Sequence, residues 1–340
     1  MPTLRELGEI EALRRLMAAR GAGPGVVVGP GDDAAVLSLT AGSDLIATTD
    51  TFVEGRHYRL DWLAPAEAGA RLVAANLSDL AAMAARPLWA LLSMGLRPEH
   101  DVDALLAFQS GVAGALEVHG AGIVGGNLAA ARGAEWFGLT LLGEAPRGRA
   151  WTRSGARVGD FLALTGHPGR AGAGLRLALQ LGARARAAAW RPLIDAWLHP
   201  TPRIALARAL AATGGVTAAI DLSDGLAGDL AQLCDRSGVG AEVDVRALQE
   251  DEHLSRAAAA LSESEEALRF GPSDDYELVL AVDPEKGEDV AAVARRLGVS
   301  LTLAGRFVEG SGVGLGPERR PPAVRGYDHF ADGSREAPER

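Results

Sequence analysis

Apolar residues at Leu4, Leu7, Ile10 and Leu13 recur at helical spacing among charged neighbours, which predicts a helix over residues 1–16. A glycine-rich connection at 21–25 follows, and the pattern then changes to short apolar runs. Residues 26–28, 34–39 and 45–49 read as strands, with Asp50 closing the third. Residues 51–58 hold Phe52, Glu54, Gly55, Arg56 and His57 without a period and read as a loop, the kind of segment that carries function. Residues 65–86 form an alanine-rich helix that opens on Pro65 and stops before Pro87. A strand at 88–96, an amphipathic helix at 99–118, a short strand at 122–126 and a strand at 136–144 complete the first half. In the second half strands are predicted at 160–165, 216–220, 241–245, 276–282 and 301–303. Helices are predicted at 171–181, 202–212, up to Gly238, in segments up to Leu268, and at 286–297. This is an α+β chain with α/β-like alternation.

A chain of 340 residues exceeds the size at which one core stops growing, so two domains are expected. The Pro-, Gly- and Arg-rich stretch 146–153 sets the boundary: an N-terminal domain over 1–148, a C-terminal domain over 149–332 and a loose tail over 333–340. The net charge of −10 argues against a nucleic-acid partner, whose phosphates call for a basic surface. Lys286 is the only lysine, which removes phosphate-binding loops of the Gly-x-x-x-x-Gly-Lys type and the strand lysine of protein kinases. Cys234 is the only cysteine, so an intrachain disulfide and a cysteine-built zinc site are excluded. It shares a helical face with Leu226 and Leu230 and reads as a small core residue. No apolar run reaches the roughly 18 residues of a membrane helix, and the charged N-terminus is not a signal peptide. A cytoplasmic protein is expected.

The chemistry concentrates in aspartates. Asp32 and Asp33 follow Gly29-Pro30-Gly31 at the mouth of a predicted strand, and Asp50, Asp79, Asp221, Asp224, Asp274 and Asp275 recur at strand ends or within helices. Neighbouring carboxylates repel unless cations or donors compensate them, so a site of hard oxygen ligands is one reading and aspartate-rich turns are the other. Asp79 lies mid-helix on the face of Leu72, Ala75, Asn76 and Met83, where a carboxylate needs a partner from elsewhere in the fold. Asp224 precedes a helix and suits an N-cap. Gly125 and Gly126 let backbone amides approach a phosphate or make a tight turn. Arg153 offers a guanidinium fork to a phosphate or is a linker arginine.

Taken in order, these stretches resemble the thiamine-monophosphate kinase family, in the superfamily of aminoimidazole ribonucleotide synthetase and selenophosphate synthetase. The resemblance covers nearly the whole chain. It is carried by Gly31-Asp32-Asp33-Ala34-Ala35, Thr49-Asp50-Thr51-Phe52-Val53-Glu54-Gly55-Arg56-His57 and Asn76-Leu77-Ser78-Asp79-Leu80-Ala81-Ala82-Met83. Further on it is carried by Thr152-Arg153-Ser154-Gly155-Ala156, Ile220-Asp221-Leu222-Ser223-Asp224-Gly225-Leu226, Asp275-Tyr276-Glu277-Leu278 and Gly326-Tyr327-Asp328-His329-Phe330. The resemblance implies a homodimer whose N-terminal sheets share a β-barrel, a C-terminal α/β domain, and ATP bound near several Mg2+ ions. It implies metal ligation by Asp33, Thr48, Thr49, Asp50, Asp79, Asn127, Asp221 and Asp224, with Asp50, Asp79 and Asp221 catalytic. Gly126, Asn127, Arg153 and Ser223 would contact the nucleotide, and His57, Asp274 and Tyr327 the thiamine monophosphate. The implied reaction transfers the ATP γ-phosphoryl group to the phosphate of thiamine monophosphate. An ionised acceptor needs no strong base, and magnesium held by aspartates neutralises phosphate charge without lysine.

The chain departs from the family pattern at Asn127, where aspartate is usual, at Pro272-Ser273-Asp274, where Gly-Gly-Glu is usual, and at Arg56. Selenophosphate synthetase-like or hydrogenase-maturation activity would need a cysteine or selenocysteine near a terminus, which the chain lacks. The alternatives are a non-catalytic nucleotide- and metal-binding homologue or another ATP-dependent enzyme of the superfamily.

Overall fold

The computed structural model describes residues 2–18, 23–248 and 250–327. Part of the 21–25 connection, the tail over 333–340, and Asp328, His329 and Phe330 of the last motif lie outside the described residues. The chain divides into two compact units, one within Met1–Ala150 and Thr201–Arg208, the other within Trp151–Pro200 and Ala209–Arg340.

In the first unit, α1 (Leu4–Leu7) and α2 (Glu9–Ala18) replace the single predicted helix. Thr3 and Glu6 form a reciprocal capping box, and Gly8, at φ +80°, ends α1 where a residue with a side chain would be strained. Strands β1 (Val26–Val28) and β2 (Val36–Leu37) make a two-stranded antiparallel sheet. Next come β3 (Ser43–Val53), α3 (Pro65–Ala82), β4 (Arg86–Leu96), α4 (Val102–Glu117), β5 (Gly122–Ala130) and β6 (Trp136–Pro146). β3 runs through Asp50 to Val53, so Asp50 sits inside a strand instead of closing one. α3 ends at Ala82, since Ala84 turns to φ +52° and Arg86 and Pro87 already pair with β6. The sheet order is β3-β6-β4-β5; β4 and β5 are parallel, joined through α4, and the other pairs are antiparallel.

One face of this sheet is covered. Phe52, Leu92, Met94, Phe137, Leu139 and Leu141 are buried there, and α3 and α4 supply Leu72, Leu80, Leu105, Phe108 and Val112 to the same core. The stack of Phe108 on Phe137, with centroids 3.8 Å apart, ties α4 to β6. Along β3 the opposite positions Leu45, Ala47, Thr49 and Thr51 are exposed.

The second unit contains β7 (Phe161–Thr165), α5 (Arg170–Leu181), α6 (Arg191–Leu198), β8 (Val216–Asp221), α8 (Leu226–Ser237), β9 (Gly240–Val243) and α9 (Glu252–Leu261). It continues with α10 (Glu265–Phe270), β10 (Leu278–Val282), α11 (Gly287–Arg296), β11 (Leu301–Val308) and β12 (Gly312–Leu315). α7 (Ile204–Ala211) has residues in both groups. The six-stranded sheet runs β12-β9-β11-β7-β10-β8 and is antiparallel except for β12 with β9. The expected α/β domain is therefore corrected to a mainly antiparallel α+β arrangement. Alternation of elements along a sequence does not reveal strand direction, which the connections decide. Among the described residues the three sheets are open, so the expected barrel is not closed by one copy. Among the described residues no helix is long and apolar enough to cross a membrane. Cys234 is wholly buried among Leu226, Leu230 and Leu233, which raises its thiol to about 12 and leaves it inert.

Candidate active site

Strand alternation puts Thr48 and Asp50 on the face of β3 that meets α3. From α3, Asp79 accepts a hydrogen bond from the Thr48 hydroxyl, the partner that its mid-helix position required. Burial, and then the charge of Asp79, push the Asp50 carboxyl up to about 7. Two carboxylates and a hydroxyl so crowded are an oxygen set that favours a cation. Thr49 points the other way, hydrogen-bonded to Thr140 at 3.1 Å.

The register relates the remaining residues of this sheet. Asp50 pairs with Leu139, Leu139 with Leu92, and Leu92 with Gly126, so Gly126 lies three strands from Asp50 in the same row. Asn127 falls in the next row, with Ser93, Gly138 and Thr51, and is exposed on the uncovered face. A Cβ on Gly126 would collide with the carbonyl oxygen of Leu92, which explains the glycine by strand packing alone. Asp33 is exposed on the connection between β1 and β2, its N–H donating to Asp32 at 2.9 Å.

His57 lies in a tight turn after β3. Its Nδ1 accepts the Val53 N–H at 3.1 Å and its ring stacks on Phe52 with centroids 5.9 Å apart. The neutral ring therefore carries its proton on Nε2. The turn is anchored from below: Arg97 holds Glu54 at 2.8 Å and donates its N–H to buried Glu135, whose other oxygen meets His100 at 2.8 Å.

In the second unit β8 ends on Asp221, and residues 222–225 form the loop that enters α8. Asp224 is not the N-cap. That position is Gly225, and the loop that leads into the helix is held by Asp229, whose Oδ2 accepts the N–H groups of Ser223, Asp224 and Gly225 at 3.1, 3.0 and 3.0 Å. Burial and the charges of Asp221 and Asp224 raise the Asp229 carboxyl to about 8. α5 repeats the device: its N-cap is Gly169, and Asp275 accepts the N–H groups of Gly169 and Ala171 at 2.6 and 2.9 Å. Asp274, next to it, is half-buried, and Tyr327 donates its N–H to the Asp224 carbonyl at 2.9 Å. Arg153 is exposed and reaches Gln232 at 2.7 Å.

Among the described residues no group of three or more His, Cys, Asp or Glu side chains is placed to hold a metal ion. Magnesium does not require one, because it is commonly held by one or two carboxylates, water and substrate phosphates. Asp50 and Asp79 with Thr48 fit that pattern.

The sequence profiles of AIR synthase related protein match in order, the N-terminal domain over residues 31–145 and the C-terminal domain over 157–316. Thiamine-monophosphate kinase of Salmonella typhimurium is 38% identical over 315 residues, covering 90% of this chain and 93% of the relative. The chain belongs to the thiamine-monophosphate kinase family. The thiamine-monophosphate kinase structure from Stenotrophomonas maltophilia is 32% identical with a TM-score of 0.77, covering 90% of this chain and 94% of its own. The structure of AaThiL complexed with AMPPCP and TMP is 27% identical with a TM-score of 0.76, covering 97% and 99%. For a thiamine-monophosphate kinase family member, the residue that sequence reasoning missed is Asp229. The available signal was its position on the buried stripe of Leu226, Leu230 and Leu233, where an unpaired carboxylate has no place.

Proposed function

We propose that this chain transfers the γ-phosphoryl group of ATP to the phosphate of thiamine monophosphate, giving thiamine diphosphate and ADP, as a cytoplasmic homodimer. The observation that carries the reading is the hydrogen bond that brings Asp79 of α3 to Thr48, on the same face of β3 as Asp50, in a member of this kinase family. AMPPCP is an ATP analogue that cannot pass on its terminal phosphoryl group, and its presence beside TMP in a relative supports the two substrates. Several Mg2+ ions would be held: by Asp50, Asp79 and Thr48 on one face of the first unit's sheet, by Thr49 and Asn127 on its other face, by Asp33, and by Asp221 and Asp224 of the second unit. When bound, they supply positive charge against the phosphates.

The chain's own residues do the positioning. Gly126, Asn127, Arg153 and Ser223 are assigned to the nucleotide, and His57, Asp274 and Tyr327 to thiamine monophosphate. His57 is held in orientation by the Val53 N–H that its Nδ1 accepts. The amides of Ser223, Asp224 and Gly225 are taken by Asp229, so Ser223 has its hydroxyl and carbonyl to offer. Residues 1–148 are assigned to ATP and magnesium binding and dimerisation, and residues 149–332 to the C-terminal domain. The exposed β3 row of Leu45, Ala47, Thr49 and Thr51 carries no charge, which supports pairing with a second copy to close a barrel.

Incubating the protein with ATP, thiamine monophosphate and magnesium should give ADP and thiamine diphosphate in equal amounts. ATP loss without thiamine diphosphate would overturn the reading. Transfer should be direct, because the acceptor is itself an anionic nucleophile and needs no covalent relay. Protein incubated with γ-labelled ATP without acceptor should carry no covalent label, and a stable phosphoprotein would refute this. Asn127→Asp should lower the magnesium concentration for half-activation at fixed ATP, because it restores a charge that hard cations favour. An unchanged or higher requirement would remove Asn127 from the neighbourhood of the metals.

A further inference from the structure

We propose that Asp229 is a positioning residue for phosphoryl transfer, its Oδ2 gathering the three successive amides of the loop that carries Asp221 and Asp224. The proposal rests on the functional reading above for its kinetic consequence, and on geometry alone for its structural one. Three consecutive N–H groups converge on one oxygen at 3.0–3.1 Å. That convergence curls residues 223–225 around a single point, and Gly225 allows it at φ +105°, where a Cβ would collide with the carbonyl oxygen of Gly271.

Backbone bonds secure the rest of the loop. Leu222 donates to Glu277 at 2.8 Å and accepts from Tyr276 at 2.8 Å, while Asp224 accepts from Tyr327 at 2.9 Å. Asp229 supplies the acceptor for the three amides that these bonds leave out. It is 1% exposed and sits on the buried face of α8, so the loop is pinned to the helix's packed side. Three amides at a helix start are also an anion site. Here the chain's own carboxyl oxygen fills it, which keeps a substrate phosphate out and leaves Asp221 and Asp224 with defined backbone positions. Asp229 touches no reacting atom in this scheme and acts through the two aspartates.

The test uses the full chain and two variants, assayed well below each melting midpoint. In the metal-free protein, hydrogen exchange at the amides of 223–225 should be slow for the natural chain and for Asp229→Asn, which keeps an acceptor oxygen, and fast for Asp229→Ala. Sodium formate, against sodium chloride of equal ionic strength, should restore protection to Asp229→Ala. With substrates, Asp229→Ala should lose roughly 10- to 100-fold in kcat or in magnesium affinity, the usual cost of removing a group that holds a metal ligand in place. Formate should return part of it, and Asp229→Asn should stay near the natural rate. Unchanged exchange in Asp229→Ala overturns the geometry. Fast exchange with a natural rate and magnesium requirement overturns the positioning role, as does a protected loop with lost activity in Asp229→Asn, the variant that decides if Asp229→Ala does not fold. A natural chain that does not make thiamine diphosphate refutes the kinase reading instead, and the exchange arms still report on the loop.

Discussion

Replacing Asp50 or Asp79 by alanine should lower kcat by roughly two to three orders of magnitude at saturating ATP and magnesium, the scale for losing one charge-stabilising group. Both substrates are anionic at the reacting phosphates, so the barrier is dominated by charge that must be offset. Each substitution removes half of the carboxylate pair on α3 and β3, and neither removes apolar packing. Burial is the larger cause of the raised Asp50 carboxyl and the charge of Asp79 the smaller, so Asp79→Ala should lower the Asp50 pKa only in part. Added magnesium should raise the natural melting temperature more than that of either variant, because the folded state binds the ion and the variants bind it less. A near-natural rate for either variant at saturating magnesium would show that the pair does not serve the reaction.

The need for a partner at Asp79 was legible because helical spacing puts it among Leu72, Ala75 and Met83, and the structure supplies Thr48 from the neighbouring motif. The positions of most strands were legible from their apolar runs, but not their directions, since an antiparallel and a parallel strand carry the same runs when both faces are buried. β10, buried at all five positions, is such a case. Its place before a helix makes Asp224 suit an N-cap as well as a metal ligand, because aspartate there often caps. Gly225 takes the cap position, and Asp229 reaches back from within the first turns of α8 to the amides of 223–225, a choice that local propensity does not encode. Asp275 does the same for α5 across more than a hundred residues of chain. The carboxylates that shape these two loops are therefore not the ones at conventional cap positions.

The same alanine substitution at two glycines of α4, three residues apart, should have opposite signs. α3 and α4 cross closely, and the approach is made by glycine: a Cβ on Gly111 would collide with the backbone carbonyl of Ala66, and one on Gly69 with that of Phe108. Backbone cannot rotate aside as a side chain can, so Gly111→Ala must push α3 away. Overpacking of this kind costs roughly 1–3 kcal/mol and sometimes more. Gly114 meets nothing within 4 Å, and alanine there should stabilise the helix by roughly 0.5–1 kcal/mol through propensity and lower unfolded-state freedom. Thermal melts of the two variants should bracket the natural chain, at about 2–4 °C per kcal/mol for a unit of this size. Gly111→Ala should in addition lower the rate at temperatures where it remains folded, because α3 carries Asp79 towards Thr48 and a displaced helix breaks that hydrogen bond. Equal melting temperatures for Gly111→Ala and Gly114→Ala would show that the crossing tolerates a methyl group and that glycine is not what brings α3 to the site.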